Sequence, residues 1–154
     1  MKIEIEPVAI VKNKRAELKD DFWGDVITEI ELLPHIPSET LNGIDTFSHL
    51  EIIYQFNKVP DNTIVLHGHP RGNKNWPDVG IFAQRKKDRP NKIGLTIVEL
   101  IKRKERSLLV KNFDAIDGTP IIDIKPVMKE FLPVTAVQQP DWSVELMQDY
   151  WKSK

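Results

Sequence analysis

The sequence predicts a mainly β protein, folded as a small β-barrel with short helical turns and a C-terminal helix. Three observations support this class. The chain has 154 residues, which suits one domain with a substantial core. Eight short runs of mostly apolar, often β-branched residues are parted by glycine, proline and asparagine, as in closed sheets. Apolar residues recur at helical spacing only in the last segment. We therefore expect residues 1–154 to form a single domain.

The first three runs carry the clearest strand pattern. In residues 3–11, apolar side chains occupy every second position and alternate at first with glutamate, as in a half-buried strand. Residues 26–32 repeat the alternation, and residues 50–56 combine isoleucine with tyrosine and phenylalanine. Shorter candidates follow at residues 63–67, 79–83, 95–101, 108–110 and 121–124.

Helical signals are few. Residues 37–41 and 126–131 can each form a short turn. An amphipathic helix is predicted over residues 141–152, with Asp141 as the N-cap and Val144, Met147 and Trp151 on one face. Three aromatic side chains on so short a helix need a packing partner. That partner is either the chain's own barrel or a second subunit.

Composition excludes several classes. The chain has no cysteine, so disulfides, thiolate metal sites and a cysteine nucleophile are ruled out. With 22 basic and 23 acidic residues, a globally basic nucleic-acid binder is not expected. No apolar run reaches the ~18–20 residues of a membrane span, and the first residues lack a signal-peptide core. We expect a cytoplasmic protein that does not contact membranes.

The densest chemical signal is a basic loop after the run at 79–83. Residues 85–92 hold five basic side chains against one acid. Arg85 and Arg89 can offer guanidinium donors to a carboxylate or phosphate, with Asn91 beside them. The alternative is a solvated charged turn. The cations at 86, 87, 89 and 92, with those at 102, 103, 104 and 106, could also form a local basic face for RNA.

Two further motifs have a structural and a functional interpretation. In the segment 114–120, Asp117 and Gly118 predict a tight turn, although Asp114 and Asp117 could also bind ribose hydroxyls or a cation. His49 precedes a predicted strand, where a histidine is either a hydrogen-bonded structural residue or a catalyst. His67 and His69 have metal-ligand spacing but no convincing third ligand, so no metal site is expected.

The ordered set of these segments resembles the TsaA-like, or TrmO-type, family of S-adenosylmethionine-dependent methyltransferases. The resemblance covers about residues 3–128. The matching segments are 7–11, 41–50, 69–72, 79–85, 89–94 and 114–126.

The resemblance implies a small β-barrel that binds S-adenosylmethionine, usually as a homodimer. The best-known family members methylate N6 of threonylcarbamoyladenosine at position 37 of tRNA, which makes tRNA and a second copy the expected partners. No catalytic base is identified. The cofactor-binding positions carried over by motif, with Arg89 and Asn91 added from the basic loop, are His49, Leu50, Arg85, Leu95, Ile116, Asp117, Gly118 and Thr119.

The chain departs from the family pattern at several positions. Lys87 and Lys92 replace prolines of the basic loop, Glu51 replaces a tryptophan, and Val127 replaces an aromatic residue. Residues 21–24 do not match a Pro-Arg-Gln stretch that contacts cofactor in the family. Two alternatives therefore stand beside tRNA methylation. They are a methyltransferase with a small-molecule acceptor and a non-catalytic barrel that binds cofactor or RNA.

Overall fold

A computed structural model describes residues 1–154 and confirms a mainly β fold built on a closed barrel. Six antiparallel strands close in the order β1-β2-β7-β6-β3-β8, while β4 and β5 form a separate two-stranded ribbon. The strands are β1 (Ala9–Lys12), β2 (Thr28–Leu32), β3 (His49–Gln55), β4 (His67–Gly68), β5 (Val79–Gly80), β6 (Ile93–Arg103), β7 (Ser107–Lys111) and β8 (Pro120–Pro126).

The core lies inside the barrel and follows the strand alternation. On β3, Leu50, Ile52 and Tyr54 are buried, whereas the residues between them lie on the outer face. Phe113 fills the space after β7 and packs edge-on against Tyr54, with ring centroids 5.3 Å apart. The alternation predicted for residues 26–32 is confirmed, since Thr28, Ile30 and Leu32 are buried on β2.

The first predicted strand is wrong over most of its length. Only Ala9–Lys12 is extended within the sheet, and Ile3 and Ile5 are 71% and 55% exposed. The partner strand explains the difference. The pairing with β2 stops at Ala9–Leu32 and the pairing with β8 stops at Ala9–Ile121, so residues 3–7 are paired with neither neighbouring strand.

Two of the shorter predicted strands, at residues 63–67 and 79–83, are also shorter in the structure than predicted. Residues 63–67 contribute only His67 to β4, and Thr63 ends a 3₁₀ turn in which its hydroxyl donates to the Pro60 carbonyl at 2.8 Å. Residues 79–83 form two residues of β5 and then a second 3₁₀ turn, Ile81–Ala83. Turns are also found at Ser38–Leu41 and Lys129–Phe131, within the segments where they are predicted.

The C-terminal helix α1 spans Asp141–Met147 and is shorter than predicted. Asp141 is its first residue rather than its N-cap, which is Pro140. Beyond Met147 the hydrogen bonds change to the i→i−3 pattern, with the Tyr150 amide donating to the Met147 carbonyl at 3.1 Å, and this turn docks on residues 22–24. The Phe22 amide donates to Asp149 at 3.1 Å and the Trp23 amide to Tyr150 at 2.9 Å. None of the helices has the length and apolar character needed to cross a bilayer.

Candidate binding groove

An open cavity of about 430 Å³ lies on the outer face of the barrel, where the C-terminal segment meets β6. Its lining residues are His49, Ile97, Asn112 and Trp151. Ile97 and its neighbour on the same face, Leu95, are each 43% exposed. Large apolar side chains on the outside of a strand, beside a concave surface, are typical of a ligand site.

Two polar residues line this groove. His49 begins β3, is exposed, and has Nδ1 2.8 Å from the Ser48 hydroxyl. Asn112 follows β7 with a φ of +59°, in the left-handed region. Asparagine tolerates this region better than most residues, and strained backbone at a groove favours a functional role. The imidazole and the amide supply polar groups beside an otherwise apolar wall.

Arg85 extends the same face of the barrel toward the start of β6. Its guanidinium donates a hydrogen bond to the Leu95 carbonyl, and the residue is exposed. No acidic side chain forms an ion pair with it, so the remaining N–H groups are available to an anion. Ile97 lies two positions after Leu95, about 7 Å along a strand. The structure therefore brings Arg85, Leu95 and the groove together.

The rest of the basic loop is held by internal contacts. The Arg89 guanidinium donates to the Gln84 carbonyl at 2.9 Å, and the Gln84 amide donates to Gly68 and Val79 carbonyls. These bonds fasten the loop to the β4–β5 ribbon and position Arg85. Asn91 is exposed.

Three of the eight cations in the predicted basic face are paired with acids. The Lys92 ammonium donates to Asp61 at 2.6 Å, and its side chain is only 19% exposed. Lys86 pairs with Asp88 at 3.3 Å, and Lys104 with Glu29 at 2.9 Å. These ion pairs link the loop and strands to nearby acids, which sequence counting could not assign.

Residues 116–119 do not line the groove and are held against β1. The Gly118 amide donates to the Val11 carbonyl at 2.9 Å, and the Asp117 carboxylate accepts from the Asn13 amide at 3.1 Å. Gly118 has a φ of +80°, as the predicted turn requires. Thr119 is buried and donates from its hydroxyl to the Ile116 carbonyl. The contacts of this turn are with β1 and the residues after it.

A buried cluster of hydroxyls surrounds Asp114 between the barrel end and the C-terminal segment. The Tyr54 hydroxyl donates to Asp114 Oδ1 at 3.1 Å, and Thr96 donates to the same oxygen. The Tyr150 hydroxyl donates to Oδ2 at 2.5 Å. Asp114 and Asp117 therefore do not act as a pair.

Both phenols in this cluster remain neutral donors over the physiological pH range. Burial raises the pKa of the Tyr54 phenol well above its ordinary value, and the Asp114 carboxylate raises it further. The same two causes raise the pKa of Tyr150. Sequence reasoning missed this cluster. The only signal was the inward position of Tyr54 and Thr96 on two paired strands.

Other candidate residues have structural partners. His67 pairs with Asp78 at 2.9 Å, and His69 Nδ1 lies 2.7 Å from the Trp76 carbonyl. The structure contains no group of three or more side chains able to hold a metal ion. The side chain of Leu50 lies in the core, so only its backbone can face a ligand.

The fold and the groove define a small antiparallel barrel with an apolar binding surface beside an unpaired arginine. The chain belongs to the family described as the tRNA-methyltransferase O N-terminal domain, whose model matches residues 18–131.

Relatives include two archaeal proteins and one human protein. A probable S-adenosyl-L-methionine-binding protein of Pyrococcus abyssi is 34% identical over 81% of this chain and 68% of its own length. A protein of the same description from Methanothermobacter thermautotrophicus is 34% identical over 84% of this chain and 93% of its own length. The human tRNA (adenine(37)-N6)-methyltransferase is 34% identical over 68% of this chain but only 23% of its own length.

Solved structures show the same fold. A TrmO crystal structure aligns with a TM-score of 0.71 at 25% identity, covering 90% of this chain and 64% of the other. TrmO from P. aeruginosa aligns with a TM-score of 0.74 at 24% identity, and the alignment covers 92% of this chain and 62% of the other. The chain thus spans slightly less than two thirds of these proteins.

Proposed function

We propose that this protein is an S-adenosylmethionine-dependent methyltransferase that modifies N6 of adenine 37 in tRNA. The observation that carries the proposal is the exposed Arg85 guanidinium, which is held by the Leu95 carbonyl beside the groove. The barrel that bears the groove belongs to the tRNA-methyltransferase O N-terminal domain family. The archaeal relatives are named for binding the cofactor, and the human relative for methylating this adenine. A cytoplasmic location is part of the same proposal.

The groove residues fit the chemistry of the cofactor. Arg85 has free N–H groups for the cofactor carboxylate, for which a planar guanidinium is well suited. Leu95 and Ile97 offer apolar surface to adenine, and His49 offers a polar group to the ribose. The bound cofactor supplies a methyl group on a positively charged sulfur. The protein's own contribution is to orient the two reactants and exclude water.

A homodimer belongs to the proposal because the predicted cofactor residues fall in two places. Residues 116–119 lie against β1, whereas Arg85, Leu95 and His49 follow the outer face of β6 and β3. A second copy could bring the 116–119 turn of one subunit to the groove of the other. Sedimentation should then give twice the chain mass, and a Gly118→Val variant should lose cofactor binding along with dimerisation.

The proposed activity is tested by transfer of a labelled methyl group from S-adenosylmethionine into tRNA. We expect label in bulk tRNA and none in tRNA lacking threonylcarbamoyladenosine. Arg85→Ala should reduce transfer at limiting cofactor, while Lys104→Ala should match the parent because Lys104 is paired with Glu29 elsewhere. If the protein binds the cofactor but labels no tRNA, the proposal that tRNA is the methyl acceptor is refuted.

A small-molecule acceptor is the second candidate, and the partial pairing of the basic face with acids favours it. Of the five loop cations, Lys86 and Lys92 are paired with acids, and the Arg89 guanidinium donates to the Gln84 carbonyl. If Arg85 and Lys87 alone contact a single-stranded segment, the log–log salt slope of tRNA binding should be about −1.4. A slope of zero, unchanged by Lys87→Glu, would favour the small molecule.

A further inference from the structure

We propose that Trp151 forms the adenine subsite of the groove, with its indole stacked against the cofactor's purine ring. This inference rests on the proposed function. Trp151 lines the 430 Å³ groove with Ile97 and is 40% exposed, so part of its ring is open to a ligand. It lies outside the residues matched by the family model, 18–131, and therefore adds a wall that the family pattern does not supply.

The indole is held in place by its neighbours. The Tyr150 ring packs edge-on against Trp151 with centroids 5.0 Å apart, and Tyr150 is itself hydrogen-bonded to Asp114. The backbone around Trp151 is bonded to the segment at 22–24. A Cβ on Gly24 would lie 2.3 Å from the Trp151 carbonyl, so the glycine allows this close approach. A ring fixed in this way loses little entropy when a ligand stacks on it.

The position of Arg85 favours adenine as the stacked group. The cofactor carboxylate and its adenine are at opposite ends of the molecule, with the sulfur and ribose between them. If the carboxylate binds Arg85 near Leu95, the chain of the cofactor runs along β6 toward Ile97 and Trp151. An apolar side chain and an indole then face the purine, a planar ring that stacks well on tryptophan.

The test is calorimetric binding of two ligands to three variants. S-adenosylmethionine carries a positive sulfur, and S-adenosylhomocysteine has the same adenine with a neutral sulfur. Trp151→Ala should lower the affinity for both ligands equally, by about tenfold or more, and Trp151→Phe should recover most of that affinity. Trp142→Ala is the matched control, because Trp142 packs on Trp76 away from the groove. It should leave both affinities unchanged.

The outcomes separate the inference from the proposed function. If the parent protein binds neither ligand, the proposed function fails. If the parent binds but Trp151→Ala binds equally well, only the adenine subsite is refuted. Loss confined to S-adenosylmethionine would also refute it, since the indole would then contact the charged sulfur. Quenching of tryptophan fluorescence by S-adenosylhomocysteine, present in the parent and absent in Trp151→Phe, is a second readout. Melting curves confirm that each variant is folded.

Discussion

Replacing Tyr150 by phenylalanine removes one hydroxyl from the cluster around Asp114 and leaves the ring in place. The lost bond is short, at 2.5 Å, and its acceptor is a carboxylate. Hydrogen bonds to charged groups contribute about 1.5–3 kcal/mol. Asp114 keeps its bonds from Tyr54 and Thr96, so the carboxylate is not left without donors. We therefore expect Tyr150→Phe to lower the free energy of unfolding by about 2 kcal/mol.

Urea unfolding followed by circular dichroism measures this loss. For a protein of this size, about 2 kcal/mol corresponds to a fall in Tm of roughly 4–8 °C. The control is a double-mutant cycle with Asp114→Ala, which removes the acceptor. In that background Tyr150→Phe should cost close to nothing. Equal midpoints for the parent and Tyr150→Phe, or fully additive losses in the cycle, would refute the contact.

Three further predictions concern the groove and the barrel. Arg85→Ala should lower the affinity for S-adenosylmethionine about tenfold in calorimetry, while Lys104→Ala should leave it unchanged. Equal affinities in the two variants would show that Arg85 does not bind the cofactor. Gly94→Ala should cost about 1–3 kcal/mol in urea unfolding, because its Cβ would lie 2.4 Å from the Tyr54 ring. Gly80→Ala, with open space around it, should change stability little. The raised pKa values of both tyrosines predict that their contribution to stability is complete below pH about 10 and declines above it, where the unfolded chain ionises first. Tyrosinate absorbance should appear together with unfolding and not before.

The barrel strands could be predicted because the pattern that identifies each strand lies within a few consecutive residues. Alternation on β2 and β3 identifies the buried face without knowledge of any partner. The pattern at residues 3–7 fails for a non-local reason, since a strand also needs a partner and both ladders of β1 stop at Ala9. The α-helix ends at Met147, where the hydrogen bonds change to the i→i−3 pattern, and the turn that follows docks on residues 22–24, a contact that the helical spacing does not reveal.

The candidate groove was predictable only in part. Motif matching selected His49, Arg85 and Leu95, which follow one face of the barrel. It did not select Asn112 or Trp151, because their places depend on a left-handed backbone and on how the C-terminal segment docks. Charge counting also overestimated the basic face. Two of the acids that pair with it, Asp61 for Lys92 and Glu29 for Lys104, are distant in sequence and become neighbours only in the folded chain.

Closure of the barrel depends on its shortest ladder. Strands β1 and β8 share two residue pairs, Ala9 with Ile121 and Ile10 with Pro120, whereas β3 and β6 share seven. More than a hundred residues separate the two partners, so joining them costs about 4 kcal/mol of loop entropy before any contact forms. This seam should therefore be the last to close during folding and the first to open in the native state. The amides that flank it, those of Val8 and Val11, should exchange with solvent faster than any on β3.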